Sequence, residues 1–231
     1  MALETTVQPK VLVRYGHQAG DILKLEIHTG ERVTRFPPEG PPLIQEVEQV
    51  VSTAQAIAEV GPTTMVLENS LRSATFRRDD QIWDIPLLSA EDTSVKMLRS
   101  GADIGVQPQD PLAPFVFPSE PIGAGDSWDA IATLSLKHCE AVPVTIRCTV
   151  VETEQPDLLV VDMRSEEMKF GEITAQVSGR LEFSTVFGCL LLGVLGNVQK
   201  GQEGPHKVEW QQWLMMLLTD RIGVEEFAVE H

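Results

Sequence analysis

The feature that most constrains this chain is that it carries the same short passage twice. Ala19-Gly20-Asp21 leads into ILKLEIH, and Ala124-Gly125-Asp126 leads into SWDAIATLSL. In each copy a tight turn precedes a period-2 pattern. Leu23, Leu25 and Ile27 fall on one face in the first, and Trp128, Ala130 and Ala132 on one face in the second. Successive side chains that alternate between two faces define a strand, not a helix. A second, gap-free correspondence maps Val47–Phe76 onto Ala141–Phe170 at an offset of 94, pairing Val50 with Val144, Pro62 with Pro156, Val66 with Val160 and Phe76 with Phe170. Gly permits the positive φ of a turn, and Asp closes one through its own backbone. Gly20, Asp21, Gly125 and Asp126 are therefore expected to be structural turn residues.

The expected fold is mainly β. Internally duplicated antiparallel sheets form a sandwich or partly open barrel with few or short helices. Residues 1–100 form a first repeat, 101–120 a Pro-rich connector and 121–231 a second repeat, packed as one unit. Fifteen Pro and seventeen Gly argue against a helical bundle, and 42% hydrophobic residues suffice for a core. VLVRY and ILKLEIH should flank HQAGD as a hairpin, and FPPEGPP must be a loop because Pro cannot donate to a ladder. EITAQVSGRLEFST alternates cleanly, with Ile173, Ala175, Val177, Leu181 and Phe183 on its buried face. Phe183 and Trp128 are the expected core anchors. Two segments, Gln45–Val60 and Trp210–Leu218, have apolar spacing that also suits a helix; both read as strands because the duplicated partner and the need to close a sheet edge favour it.

Thirty-four acidic residues against eighteen basic ones set the formal charge at −16. Such a surface repels phosphate backbones and anionic headgroups, so nucleic-acid binding is not expected. Three cysteines without CxxC spacing indicate neither a disulfide framework nor a zinc site, though a Cys139–Cys148 bridge stays open for an exported protein. The histidines at 17, 28, 138, 206 and 231 are scattered, and no metal site or cofactor is expected. The N-terminus has no apolar leader and no stretch is long enough to span a bilayer. A cytoplasmic protein is expected, or a periplasmic one whose leader was removed.

GAGDS at Gly123–Ser127 resembles the glycine-rich signature of ribokinase-like sugar kinases, in which Asp126 would be the base. The Asp-Thr that usually precedes that motif is replaced here by Pro121-Ile122, and no βα alternation surrounds it. The same GDS lacks the distal Asp and His of a serine hydrolase. No catalytic residue is assigned.

The order of landmarks resembles a bacterial family of β-rich proteins, the domain of unknown function numbered six-two-six-three, with an LRY hairpin ending in GD and a later FP segment ending in GDSW. The matching residues are Leu12-Val13-Arg14-Tyr15 with Gly20-Asp21, then Phe117-Pro118, Pro121 and Gly125-Asp126-Ser127-Trp128, and GRLEFSTVFGCLL at Gly179–Leu191. The resemblance implies turn and core roles and no activity. The leading functional expectation is a non-enzymatic binding or scaffold protein acting on a protein partner or as a homo-oligomer. The alternative is a carrier of a hydrophobic ligand in a β cavity.

Overall fold

The computed structural model describes residues 10–79, 81–86, 93–101, 116–136 and 141–223. Among them there is no helix, and hence none long and apolar enough to cross a membrane. The chain is all-β. Twelve strands run in order: β1 Ile22–Phe36, β2 Leu43–Val60, β3 Thr64–Arg78, β4 Gln81–Asp84, β5 Thr93–Leu98, β6 Ser127–Leu134, β7 Val142–Val151, β8 Leu158–Arg164, β9 Met168–Phe170, β10 Ile173–Ser184, β11 Cys189–Glu203 and β12 His206–Ile222. Most of the Pro-rich connector, residues 102–115, lies outside the described residues.

All the strands belong to one antiparallel sheet, ordered β4-β3-β2-β1-β12-β11-β10-β8-β7-β6 and not closed into a barrel. Two short strands complete the ladders. β5 extends along Thr64–Asn69 of β3, and β9 along Ile173–Ala175 of β10. The pairing that joins the two halves is β1 with β12, from Ile22↔Ile222 to Phe36↔Lys207. Segments 1–100 and 121–231 thus share one continuous sheet rather than forming two. Gln45–Val60 and Trp210–Leu218 are both strands, because each is paired along its length on two sides.

The registers fix one common face. On it lie Leu23, Leu25, Ile27, Thr29, Glu31 and Val33 of β1; Leu218, Met216, Leu214, Gln212 and Trp210 of β12; and Gly193, Leu195, Asn197 and Gln199 of β11. It continues through Ala175, Val177, Leu181 and Phe183 of β10 to Met163, Cys148, Ala130 and Ala132. Over β6, β7, β8 and β10 this face carries the main core, with Phe183 1% exposed and Ile146 fully buried. Two coil segments cover it: Val13 and Phe117 are buried there, and Val11 pairs with Ile122 through an isolated bridge. VLVRY therefore does not form the expected hairpin with ILKLEIH. Backbone donors at its end go instead to loops, Tyr15 N to Arg99 O and that of the following Gly16 to Gly188 O, while Val13 and Tyr15 pack on the core. Tyr15, Phe117 and Phe183 meet as a tilted and edge-on trio with centroids 4.9 to 6.1 Å apart, a favoured aromatic geometry.

Over β1, β2 and β3 the same face has a far smaller core, Leu23, Ile57 and Leu67. The 18 residues of β2 bury only Ala54 and Ile57. This part of the face is less filled than the main core, and that is what leaves room for a site.

Candidate functional site

The two AGD turns are built alike. Gly20 N donates to Ile57 O, Asp21 N to Gln18 O, Ile57 N to Asp21 O, and the Gln18 amide to the Asp21 carboxylate at 3.0 Å. In the other copy Gly125 N donates to Val150 O, Asp126 N to Gly123 O, Val150 N to Asp126 O, and the Gly123 amide to the Asp126 carboxylate at 2.9 Å. Gly20 and Gly125 have φ of 96° and 86°, which disfavours any residue with a Cβ. The register after the turns equates Ala56 with Thr149, an offset of 93, because β2 carries an extra residue between Ile57 and Glu59. The offset of 94 read from the sequence is in register for β3 and β8, Val66 and Val160 included, and one residue out for β2 and β7. On a strand that single residue exchanges the faces.

The turns differ in their surroundings. Asp21 is buried and pairs with Arg221 at 3.0 Å. Burial alone would raise its carboxyl, but the Gln18 amide and the Arg221 guanidinium outweigh that and hold it below the usual range. His17 lies beside them. Burial, then the charge of Arg221, lowers it from 6.5 to about 4, with the opposing Asp21 only partly compensating. Asp126 is partly exposed and held low by the Lys10 ammonium at 2.9 Å and the Gly123 amide. The motif that contains it runs into strand β6, with no helix N-terminus to cradle a phosphate. Trp128 is partly buried, packed against the main core on the face of Ala130 and Ala132. Cys148 and Cys189 are buried thiols, and the Cys139–Cys148 bridge involves Cys139, which lies outside the described residues. Burial, with Asp129 nearby, pushes Cys148 up to about 11, which favours the neutral thiol there. No cluster of His, Cys, Asp and Glu suited to a metal occurs among the described residues; His138, His231 and Cys139 lie outside them.

What the sheet does build is a cavity of about 420 Å³ on the inner face. Its walls come from opposite ends of the strand order, with Thr29, Val47 and Phe76 from β1, β2 and β3, and Ala132, Leu134 and Val144 from β6 and β7. The sheet must curl for these to face one space. The floor is Val177, Leu195 and Leu214. The volume lies in the roughly 300–1,000 Å³ range of small-molecule sites.

A polar chain crosses this apolar surface. Gln199 Nε2 donates to Ser135 O and to Asn197 Oδ1, both at 2.9 Å. Asn197 Nδ2 donates to Gln212 Oε1 at 3.0 Å, and Gln212 Nε2 to Glu31 Oε2 at 3.0 Å. Gln199 is fully buried between Ala175 and Trp210. Partnered this way, the amides avoid the cost of burying polar groups unsatisfied. The chain therefore ties the end of β6 to the centre of the sheet. None of its four side chains was singled out as a site residue from the sequence. The available signal was phase, since each occupies an apolar-phase position of its strand.

No family model matches the chain, and no curated protein matches it. Among solved structures it is similar to lipovitellin, in a structure described as lipid-protein interactions in lipovitellin, with a TM-score of 0.55, 10% sequence identity, and coverage of 89% of this chain and 26% of that one. The chain thus spans about a quarter of that protein's length, and the likeness concerns the fold. Salmonella typhi OmpF in complex with daunomycin overlays at a TM-score of 0.23 with 6% identity over 86% of this chain and 98% of that one, too little to carry an argument.

Proposed function

We propose that the chain is a non-enzymatic carrier that holds a lipid-like ligand against the inner face of its sheet. The observation that carries this reading is the apolar cavity between Phe76, Leu134, Val177, Leu195 and Leu214, crossed by one polar chain. Apolar walls with a few fixed polar groups suit an amphiphile, whose tail gains from leaving water and whose head needs partners. The likeness in fold to lipovitellin, a protein whose structure concerns its lipid interactions, points the same way. A scaffold role stands second. The partly exposed strip of Leu192, Val194, Val198, Trp213, Met215 and Leu217 on the outer face of β11 and β12 favours it, since a patch of this kind suits a protein partner or a second copy.

The two readings separate in one experiment. Nile red is titrated into the purified protein and into Thr29→Trp, which projects an indole into the cavity from an exposed position on β1. The carrier reading expects saturable uptake by the wild type and its loss in the variant. Equal uptake by both, or none by either, overturns it.

A further inference from the structure

We infer that the ligand enters and leaves through the gap between the two end strands of the sheet, β4 and β6, and that Trp83 of β4 contacts it there. This rests on the carrier reading. The sheet runs from β4 to β6 without closing, and neither strand borders a further strand on its outer side among the described residues. The cavity lies at that seam, since Phe76 of β3 walls one side and Ala132 and Leu134 of β6 the other.

The cross-strand register carries the cavity wall on to Trp83. Thr29, Gln49 and Phe76 stand opposite one another on β1, β2 and β3, and all three line the cavity. Trp83 is next in that row, opposite Phe76, and the two rings lie 5.8 Å apart at a tilt of 34°. Directly opposed residues project to the same face of a sheet. Trp83 therefore stands on the inner face, one strand beyond the wall and beside the gap.

A tryptophan that serves only to pack on Phe76 gains most when it is covered. Trp83 is instead 44% exposed, on a strand of four residues that are all exposed. Both lips of the gap carry further large apolar residues turned to the outer face, Ile82 on β4 at 67% exposure and Ile131 on β6 at 64%. Apolar surface left in water at both lips is relieved when an apolar molecule passes between them. The indole offers the largest such surface, continuous with Phe76 and hence with the cavity.

Two measurements with Nile red test this. Deuterated protein carrying 5-fluorotryptophan has four fluorine signals, one for each tryptophan, and that of Trp83 is the one lost in Trp83→Phe. The expected result is a fluorine–proton NOE from Trp83 to bound Nile red, a direct contact that a purely structural tryptophan would not show. This reading uses the unaltered fold. In the second, protein loaded with Nile red is mixed with excess phosphatidylcholine vesicles and release is followed by stopped-flow fluorescence. Trp83→Ala should release the dye faster by roughly threefold to tenfold, the worth of one aromatic contact. Saturable uptake without the Trp83 NOE, or release from Trp83→Ala less than about threefold faster, overturns the inference and leaves the carrier reading standing. If the wild type takes up no Nile red, the carrier reading falls and this inference with it.

Discussion

Gln199→Leu tests whether the polar chain holds the curled sheet together. The side chain has no exposed surface, and its Nε2 satisfies two acceptors at 2.9 Å, Ser135 O and Asn197 Oδ1. Leucine occupies a similar volume, so the cavity penalty is small. The loss is in the partners. Both acceptors are only part-buried and Ser135 is exposed, so each lost donor costs about 1 kcal/mol, the low end for a stranded group. The Asn197 side chain can turn away and Leu gains from its apolar neighbours, which leaves the net at about 1–2 kcal/mol of destabilisation. For a chain of this length each kcal/mol moves Tm by about 2–4 °C, so the melting point should fall by about 2–8 °C. Urea unfolding followed by tryptophan fluorescence and by circular dichroism gives the value. Asn197→Leu and the double variant complete a cycle, in which a coupling of about 1 kcal/mol or more is expected for groups that share a bond. A Gln199→Leu protein within about 0.5 kcal/mol of wild type, the scale of an indifferent surface change, would refute the reasoning.

Three further predictions follow from other parts of the fold. A Cβ on Gly30 would overlap the Trp213 indole that lies across it, so Gly30→Ala should cost about 1–3 kcal/mol in chemical denaturation, with much of the loss recovered when Trp213→Leu is added. His17 is held neutral down to about 4 when folded but takes up a proton near 6.5 when unfolded, so stability should fall as pH drops through that window, by about 3 kcal/mol at most. The Asp21 carboxyl, held low, adds its own loss only at more acidic pH. His17→Gln should flatten the window above pH 4, as read by urea midpoints across pH. Finally, the like-built turns should respond unequally. Asp126→Asn keeps its local bonds and should stay within about 1 kcal/mol of wild type, whereas Asp21→Asn weakens a part-buried, charged hydrogen bond with Arg221 and should cost about 1.5–3 kcal/mol in the same denaturation assay.

Local physics was legible in the chain and long-range pairing was not. Alternation placed Ala175, Val177, Leu181 and Phe183 on one buried face of β10, and prolines marked the loop between β1 and β2, as found. The helical spacing in β2 was misleading for a physical reason. With only Ala54 and Ile57 buried, its apolar residues answer to no single face, and pairing with β1 and β3 outweighs the helix propensity of its Gln, Glu and Ala. The failed hairpin at Val11–Tyr15 has the same origin, since aromatic packing on a distant core won over local pairing. That β1 would meet β12 is a contact between distant segments that no short pattern announces. The bulge after Ile57, one residue in length, is likewise invisible to a gap-free comparison. The polar chain left a faint trace, since Glu31, Asn197, Gln199 and Gln212 each stand in phase with apolar neighbours. Polar residues in apolar phase on long strands are the signal to read.

The central claim is that the inner face, not the outer strip, receives the ligand. The most direct test is intermolecular NOE spectroscopy on methyl-labelled protein with decanol bound. The account predicts contacts from the alkyl chain to the methyls of Leu134, Val144, Val177, Leu195 and Leu214, which line the cavity. Contacts confined to Leu192, Val194, Met215 and Leu217 on the other face of β11 and β12 would contradict it.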